Sequence, residues 1–457
     1  MAKEIISLHV GQAGVHMGYA LWELMTAEHY IKVDGTAAQD ADKEELLLSS
    51  PCFQHTAKGK FVPRTVIIDL DPMPIEEIKS GIYRNLFHAN SLVSGMEDAA
   101  NNFARGFFTI GNTISEKIGH EIRRNFECCD NAIGLQIFRS LGGGTGSGLT
   151  AAIFDHLSDY AKTVRVEYPI YPSPTLSSCP VEPYNSILGE HFCMDDVDIS
   201  FLIDNESLYE IYYKTLAVKQ PTSHDINRLI AQVSSSFTSA SRYPCSITND
   251  ITTMQTNLVP FPRIHFPLIS MAPLTSHEKA SHETSTTQEI TGDAFKKHNQ
   301  LMKVDLSQGK YMSCSLVFRG DICQSDVFTA LNKMKGSKNI RWVEWVPTAF
   351  KVGMMDRPIV TVKGSRLPAV NRSVTMLTNN SAIGTAIEKI VRRFKILYSK
   401  RAFVHWFVGE GLEESEFGES ILNISGLIKD YEECARSTSS LDETAGDEGN
   451  TTEMTEN

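Results

Sequence analysis

The sequence predicts an α/β protein built on a parallel sheet, and three observations carry that reading. Short β-rich runs alternate with helical patterns through the first 200 residues, the texture of βαβ units. Two Gly-rich turns, Gly11-Gln-Ala-Gly14 and Gly142-Gly-Gly-Thr-Gly-Ser-Gly148, each stand between an apolar run and a helical stripe. Beyond residue 204 long helical patterns and Pro-rich strand material take over, which predicts a second α/β domain and then a helical C-terminal region.

In chain order, 5–10 reads as a strand ended by Gly11. The helix after it carries Gly18, Leu21, Trp22 and Met25 on one face at i, i+3, i+4, i+7 spacing. Residues 36–60 are polar, with an acidic cluster at 40–45, and are expected to form a mobile surface loop. Strands are expected at 66–70 and 132–138, and a helix at 149–164 with Ile153, Phe154, Leu157, Ala161 and Val164 on one stripe. Helices are expected at 206–218 and 225–239, strand material at 258–268 and 311–318, and helices at 382–399 and 419–435. The chain thus divides into 1–204, 205–381, 382–436 and a tail, 437–457. That tail is rich in Ser, Thr, Gly and acidic residues; it cannot bury enough apolar surface to fold and is expected to be disordered.

The 457 residues carry a net charge of −12, and half of it lies in the tail, where six acidic residues stand without a basic one. An acidic body argues against non-specific nucleic-acid or anionic-membrane binding, which needs a basic footprint. No apolar run reaches the ~18–20 residues of a membrane span, and MAKEIISLHVGQ has too short an apolar core for a signal peptide. Nine cysteines, an odd number without a CxxC pair, read as reduced thiols of a cytoplasmic protein.

The segment 142–148 is the most informative. It follows a strand and opens a helix, so its five glycines let backbone N–H groups close on an anion at a helix N-terminus. Thr145 and Ser147 can add hydroxyl donors. It is not a P-loop, since no Lys follows the glycines, nor a GxGxxG or GxSxG motif. Charge compensation then falls to backbone dipoles and a metal. Gly11-Gln-Ala-Gly14 offers a second helix N-terminus, and Asp69-Leu-Asp71 a carboxylate pair at a strand end, where Mg²⁺ is usually held beside phosphates.

Both turns, as HVGQAG (9–14) and GGGTGSG (142–148), belong with EDAANNFARG (97–106), VEPYNSIL (181–188), TNLVPFPRIHFPL (256–268), VPTAFKVG (346–353) and KRAFVHWFVGEG (400–411). Together they make the chain resemble the tubulin family over nearly its whole length. The long loop 361–370 and VHWFVGEGLEESEF (404–417) are similar to its α branch more than its β branch. The resemblance implies a Rossmann-like GTPase domain, an intermediate domain and C-terminal helices facing outward on a microtubule. It implies a heterodimer with β-tubulin, GTP at a buried, non-exchanged site, and an acidic tail offered to motors and microtubule-associated proteins. By motif match, Gln12, Asp98, Ala99, Asn101, Ser140, Gly143, Gly144, Thr145 and Gly146 would surround the phosphates. Asp71 would stand near Mg²⁺, where the family has Glu; Ser178, Glu182, Asn205 and Asn227 would contact ribose or guanine.

Several positions depart from the family pattern. Where an α chain carries the Glu that completes the GTPase site of the β subunit below it, this chain has Thr253, which cannot act as a general base. Ser223 replaces the Tyr that stacks on guanine, with His224 beside it, and His16 replaces a Gln; weaker nucleotide retention is the expectation. Lys43 is the nearest match to the family's acetylated Lys, and Asn457 replaces the terminal aromatic residue of the tyrosination cycle. A dehydrogenase on the same sheet is disfavoured by the missing GxGxxG. A non-polymerising regulatory relative is suggested by drift in the lateral-contact segment, 276–287.

Overall fold

The computed structural model describes residues 3–38, 46–160, 162–173, 175–177, 179–282, 285–337 and 340–436. The acidic cluster with Lys43, the site candidate Ser178 and the tail from 437 lie outside the described residues.

Among the described residues the strands are β1 (Glu4–Val10), β2 (Phe53–His55), β3 (Phe61–Pro63), β4 (Thr65–Asp69), β5 (Leu92–Ser94), β6 (Ala132–Ser140), β7 (Val164–Tyr171), β8 (Ile199–Ser200), β9 (Ile203–Asp204), β10 (Leu268–Ala272), β11 (Tyr311–Gly320), β12 (Lys351–Met355) and β13 (Arg372–Asn380). The first sheet runs β5-β4-β1-β6-β7-β8, with β9 also on β7, and every neighbouring pair is parallel. Every residue of β1, β4 and β7 is buried, as a sheet covered on both faces requires. From β1 the chain builds outward through β4 to β5, then re-enters on the other side of β1 as β6. The order therefore reverses between β1 and β6, the place where open α/β sheets bind ligands, past the carboxyl ends of the strands.

The helices of this half are α1 (Gly11–Glu28), α2 (Pro72–Ser80), α3 (Ile110–Glu127), α4 (Thr150–Leu157), α5 (Glu182–Cys193), α6 (Asn205–Glu210), α7 (Ser223–Arg242) and α8 (Ile251–Leu258). A capping box on Thr222 and Asp225 starts α7, which packs along α1 and is fastened to it by Arg228–Glu23 at 3.0 Å. The second sheet, β10-β13-β11-β12, has β13 antiparallel to both neighbours and β11 parallel to β12. Helices Ile383–Ser399 and Glu414–Ala435 pack on each other and on α5, around Tyr184, Phe394 and Phe417.

Four expectations need correction. The helix predicted at 149–164 ends at Leu157, followed by a 3-10 turn to Tyr160, and Val164 opens β7. Val164 satisfied the helical stripe by chance. The loop 36–60 contains β2, which pairs with β3, because Phe53 and Phe61 bury in the core that includes Trp22 of α1. Residues 258–268 are not a strand, since α8 runs to Leu258 and β10 begins only at Leu268. Pro260, Pro262 and Pro267 remove the donors a ladder would need. The helix read at 206–218 is α6 followed by a π-helical turn, Ile211–Thr215, and Ala217 has φ +58°.

Candidate functional site

Past the carboxyl ends of β1, β4, β5 and β6 lies a cavity of about 330 Å³. Gly11, Gln12 and Ala13 enter it from the start of α1, Asp69 and Asp71 from the end of β4, and Asp98 and Asn101 from the loop after β5. Ser140, Gly142, Gly143, Gly144, Thr145 and Gly146 enter after β6, and Glu182 from α5. The glycines serve different ends. A Cβ on Gly146 would stand 2.2 Å from the Ser140 carbonyl oxygen, and one on Gly144 would stand 2.5 Å from the Asn102 nitrogen, so both pack backbone on backbone. A Cβ on Gly143 would meet nothing within 4 Å.

Thr145–Leu149 forms a π-helical turn leading into α4, so several backbone N–H groups end at the cavity, the arrangement that binds anions. Ser147 does not join them. It is fully buried, and its Oγ donates to the Gly143 carbonyl at 2.6 Å, holding the loop rather than facing a ligand.

Among the described residues the lining includes no Lys or Arg and four carboxylates, Asp69, Asp71, Asp98 and Glu182. A polyphosphate entering here must bring a cation. Asp71 caps α2, its Oδ1 accepting from Met73 N at 3.0 Å. Asp69 is 2% exposed; its Oδ1 accepts from Asp71 N at 3.2 Å, and its Oδ2 is buried without a hydrogen-bond partner. Burial first, then the charges of Asp71 and Asp98, raise its carboxyl to about 7. An orphaned carboxylate oxygen of this kind fits a cation site that the ligand completes. No group of three or more His, Cys, Asp or Glu that could hold a metal by protein alone occurs among the described residues. Mg²⁺ fits that arrangement, since it keeps waters and uses one or two carboxylates with substrate phosphates.

The other candidates are less gathered. Ala99 is wholly buried and does not line the cavity. Asn205 opens α6 and Asn227 lies in the first turns of α7, and neither reaches the cavity wall. His224 is turned toward α1, with Nε2 at 3.4 Å from Glu23 and its ring 6.0 Å from Tyr19. Asn185, not among the residues expected from sequence, is fully buried and bonded to the Asn101 and Gly142 carbonyls of two cavity-lining loops.

Thr253 stands at the far end of the sheet. Its N–H donates to the capping carboxylate of Asp250 at 3.1 Å, and its hydroxyl donates to the same oxygen. Asp250 pairs with Lys3, just before β1, at 2.6 Å, and Ile251 packs on Gly134 near the start of β6. The cavity begins beyond Ser140, six residues along that strand, or about 20 Å at 3.3 Å per residue. Thr253 therefore cannot touch a ligand bound in its own chain.

Comparison with known proteins bears on this geometry. Residues 4–213 match the family model "Tubulin/FtsZ family, GTPase domain", and residues 262–392 match "Tubulin C-terminal domain". The chain is 43% identical to "Tubulin alpha-2 chain" of Schizosaccharomyces pombe over 446 residues, covering 96% of this chain and 98% of that one. It is 45% identical over 442 residues to "Tubulin alpha-1B chain" of Schizophyllum commune, covering 96% and 99%.

The chain belongs to the tubulin family, on its α side.

The cavity of this tubulin lies wholly within the stretch matched by the GTPase-domain model, 4–213. Thr253 falls between the two matched stretches, as does all of α7.

Proposed function

We propose that this α-type tubulin is a microtubule subunit of the cytoplasm that holds GTP with Mg²⁺ in the cavity and pairs with β-tubulin, which covers the site and prevents exchange. The observation that carries the reading is the rim. Helix Val404–Val408 lies beside the phosphate loops, with the Trp406 carbonyl accepting from Asn102 Nδ2 at 3.0 Å. Trp406 itself is 64% exposed, and Phe403 and Val408 near it are also exposed. A large aromatic left in water, one hydrogen bond from the residue after Asn101 of the cavity wall, suits a site closed by a second subunit. Asp71 and Asp69 would hold the cation, which would neutralise phosphate charge; the glycine backbone would orient the phosphates. The test is co-expression with β-tubulin, pelleting of polymer, and nucleotide analysis of the pellet. Polymer lacking guanine nucleotide, or no polymer, would overturn the proposal.

The cation has its own test. Chelating Mg²⁺ from the GTP-loaded dimer is expected to speed GTP loss, and Asp69→Asn to blunt that response. Loss rates indifferent to chelator would remove the cation from the reading.

The opposite end of the sheet supports a further part of the reading, that this subunit is a poor trigger of hydrolysis on its β neighbour. Thr253 is poised to face a neighbouring subunit's nucleotide, and its hydroxyl is engaged by Asp250, whose carboxyl is held at about 2. Burial works against that low value; the Lys3 bond and the Thr253 bonds outweigh it. A hydroxyl cannot supply a carboxylate's general base, so this subunit triggers hydrolysis on its β neighbour poorly. GTP turnover in polymer is expected to rise at least about tenfold in Thr253→Glu, given the 10²–10⁴-fold typical of general-base catalysis. No increase would sink the idea.

A further inference from the structure

One buried amide ties the two phosphate-facing loops together. Asn185, wholly buried in α5, accepts at Oδ1 from Phe103 N at 3.0 Å. Its Nδ2 donates to the carbonyls of Asn101 at 2.7 Å and Gly142 at 2.9 Å. Asn101 and Gly142 both line the cavity, on loops that leave different strands. The joint is strained, with Ala100 at φ +50° and Asn101 at φ +55°, the left-handed region that costs non-glycine residues. Such backbone persists only where its surroundings hold it.

The next residue carries the connection to the surface. Asn102 accepts at Oδ1 from Ala104 N at 2.9 Å, and its Nδ2 donates to the Trp406 carbonyl at 3.0 Å. Its backbone nitrogen would stand 2.5 Å from a Cβ on Gly144, so it also backs the glycine loop. The exposed rim helix is thus one hydrogen bond from the strained loop, and that loop one amide from the glycines.

We infer that Asn185 is a positioning residue for the nucleotide, and that with Asn102 it forms a relay by which a partner seated on the Trp406 helix tightens both phosphate loops. The inference rests on the reading of the cavity as a GTP site. It differs from ordinary loop packing in requiring that nucleotide retention respond to both residues. Asn185→Asp keeps the acceptor for Phe103 N but turns a carboxylate toward two carbonyls.

The test is the rate of GTP loss from full-length chain co-expressed with β-tubulin, for wild type, Asn185→Asp and Asn102→Ala. Asn185→Asp is expected to lose GTP at least about tenfold faster, a change of about 1.4 kcal/mol. Its excess rate should shrink between about pH 8 and pH 6, because a protonated carboxyl regains one donor. Asn102→Ala, at a half-buried position, should lose GTP a few-fold faster with its fold intact. If Asn185→Asp does not fold, Asn102→Ala decides alone. A wild-type dimer that holds GTP, with a loss rate that either folded variant leaves unchanged, would overturn the relay. A wild-type dimer without guanine nucleotide would overturn the functional reading, and the relay with it.

Discussion

Glu28→Gln is expected to destabilise the folded chain by about 3–5 kcal/mol, the cost of leaving buried charges without their partner. Glu28 ends α1 and is fully buried. It meets Arg242 of α7 at 2.6 Å and Arg319 of β11 at 3.0 Å, and accepts from Ser235 Oγ at 2.7 and 2.8 Å. Both guanidiniums are also buried, at 0 and 1% side-chain exposure. One carboxylate therefore fastens the helix that begins at the cavity to the long central helix and to the second sheet. Removing its charge strands two cations in the interior. Burial alone would raise the Glu28 carboxyl, but Arg242 and Arg319, with Ser235, hold it at about 2 against the ordinary 4.5. A depressed carboxyl contributes its stability fully above the ordinary value and loses it as pH falls through the folded one. Wild type should then lose stability between about pH 4.5 and pH 2, and the variant should lack that component of the slope. Urea unfolding across this range measures both, and an unchanged midpoint at neutral pH would refute the account.

Gly146→Ala is expected to abolish nucleotide retention, while Gly143→Ala leaves the fold intact. At Gly146 the added methyl would lie 2.2 Å from the Ser140 carbonyl oxygen and 2.9 Å from its nitrogen, both backbone atoms that cannot step aside. The loop must shift, at an overpacking cost of about 1–3 kcal/mol, and the N–H groups it aims at the cavity shift with it. At Gly143 the same methyl meets no protein atom, so any effect arises from the space it takes in the cavity. Circular dichroism separates folding from binding, and bound-nucleotide analysis reads the binding. Equal retention in the two variants would show that the loop is not held by its backbone contacts.

The phosphate loop was legible in the sequence because its cause is local. Glycines between a strand and a helix are visible within a dozen residues, and the structure places Gly143, Gly144, Thr145 and Gly146 on one cavity wall with Gln12, Asp71, Asp98 and Asn101. Ser147 was misread as a ligand donor, since nothing local says that its side chain turns inward to Gly143. The stretch 258–268 was misread as a strand, since Ile264 and Phe266 bury without a ladder between Pro262 and Pro267.

The sequence by itself determined the α/β class, the two Gly-rich turns and the family. Each depends on residue type and short spacing. Tertiary structure alone decided that Asp69 keeps an orphaned oxygen beside Asp71 and Asp98, and that Asn185 closes two loops 43 and 84 residues away from it. It alone placed Thr253 at the end of the sheet away from its own cavity. These facts join residues from distant strands, and burial and hydrogen bonding exist only after the chain has brought those strands together.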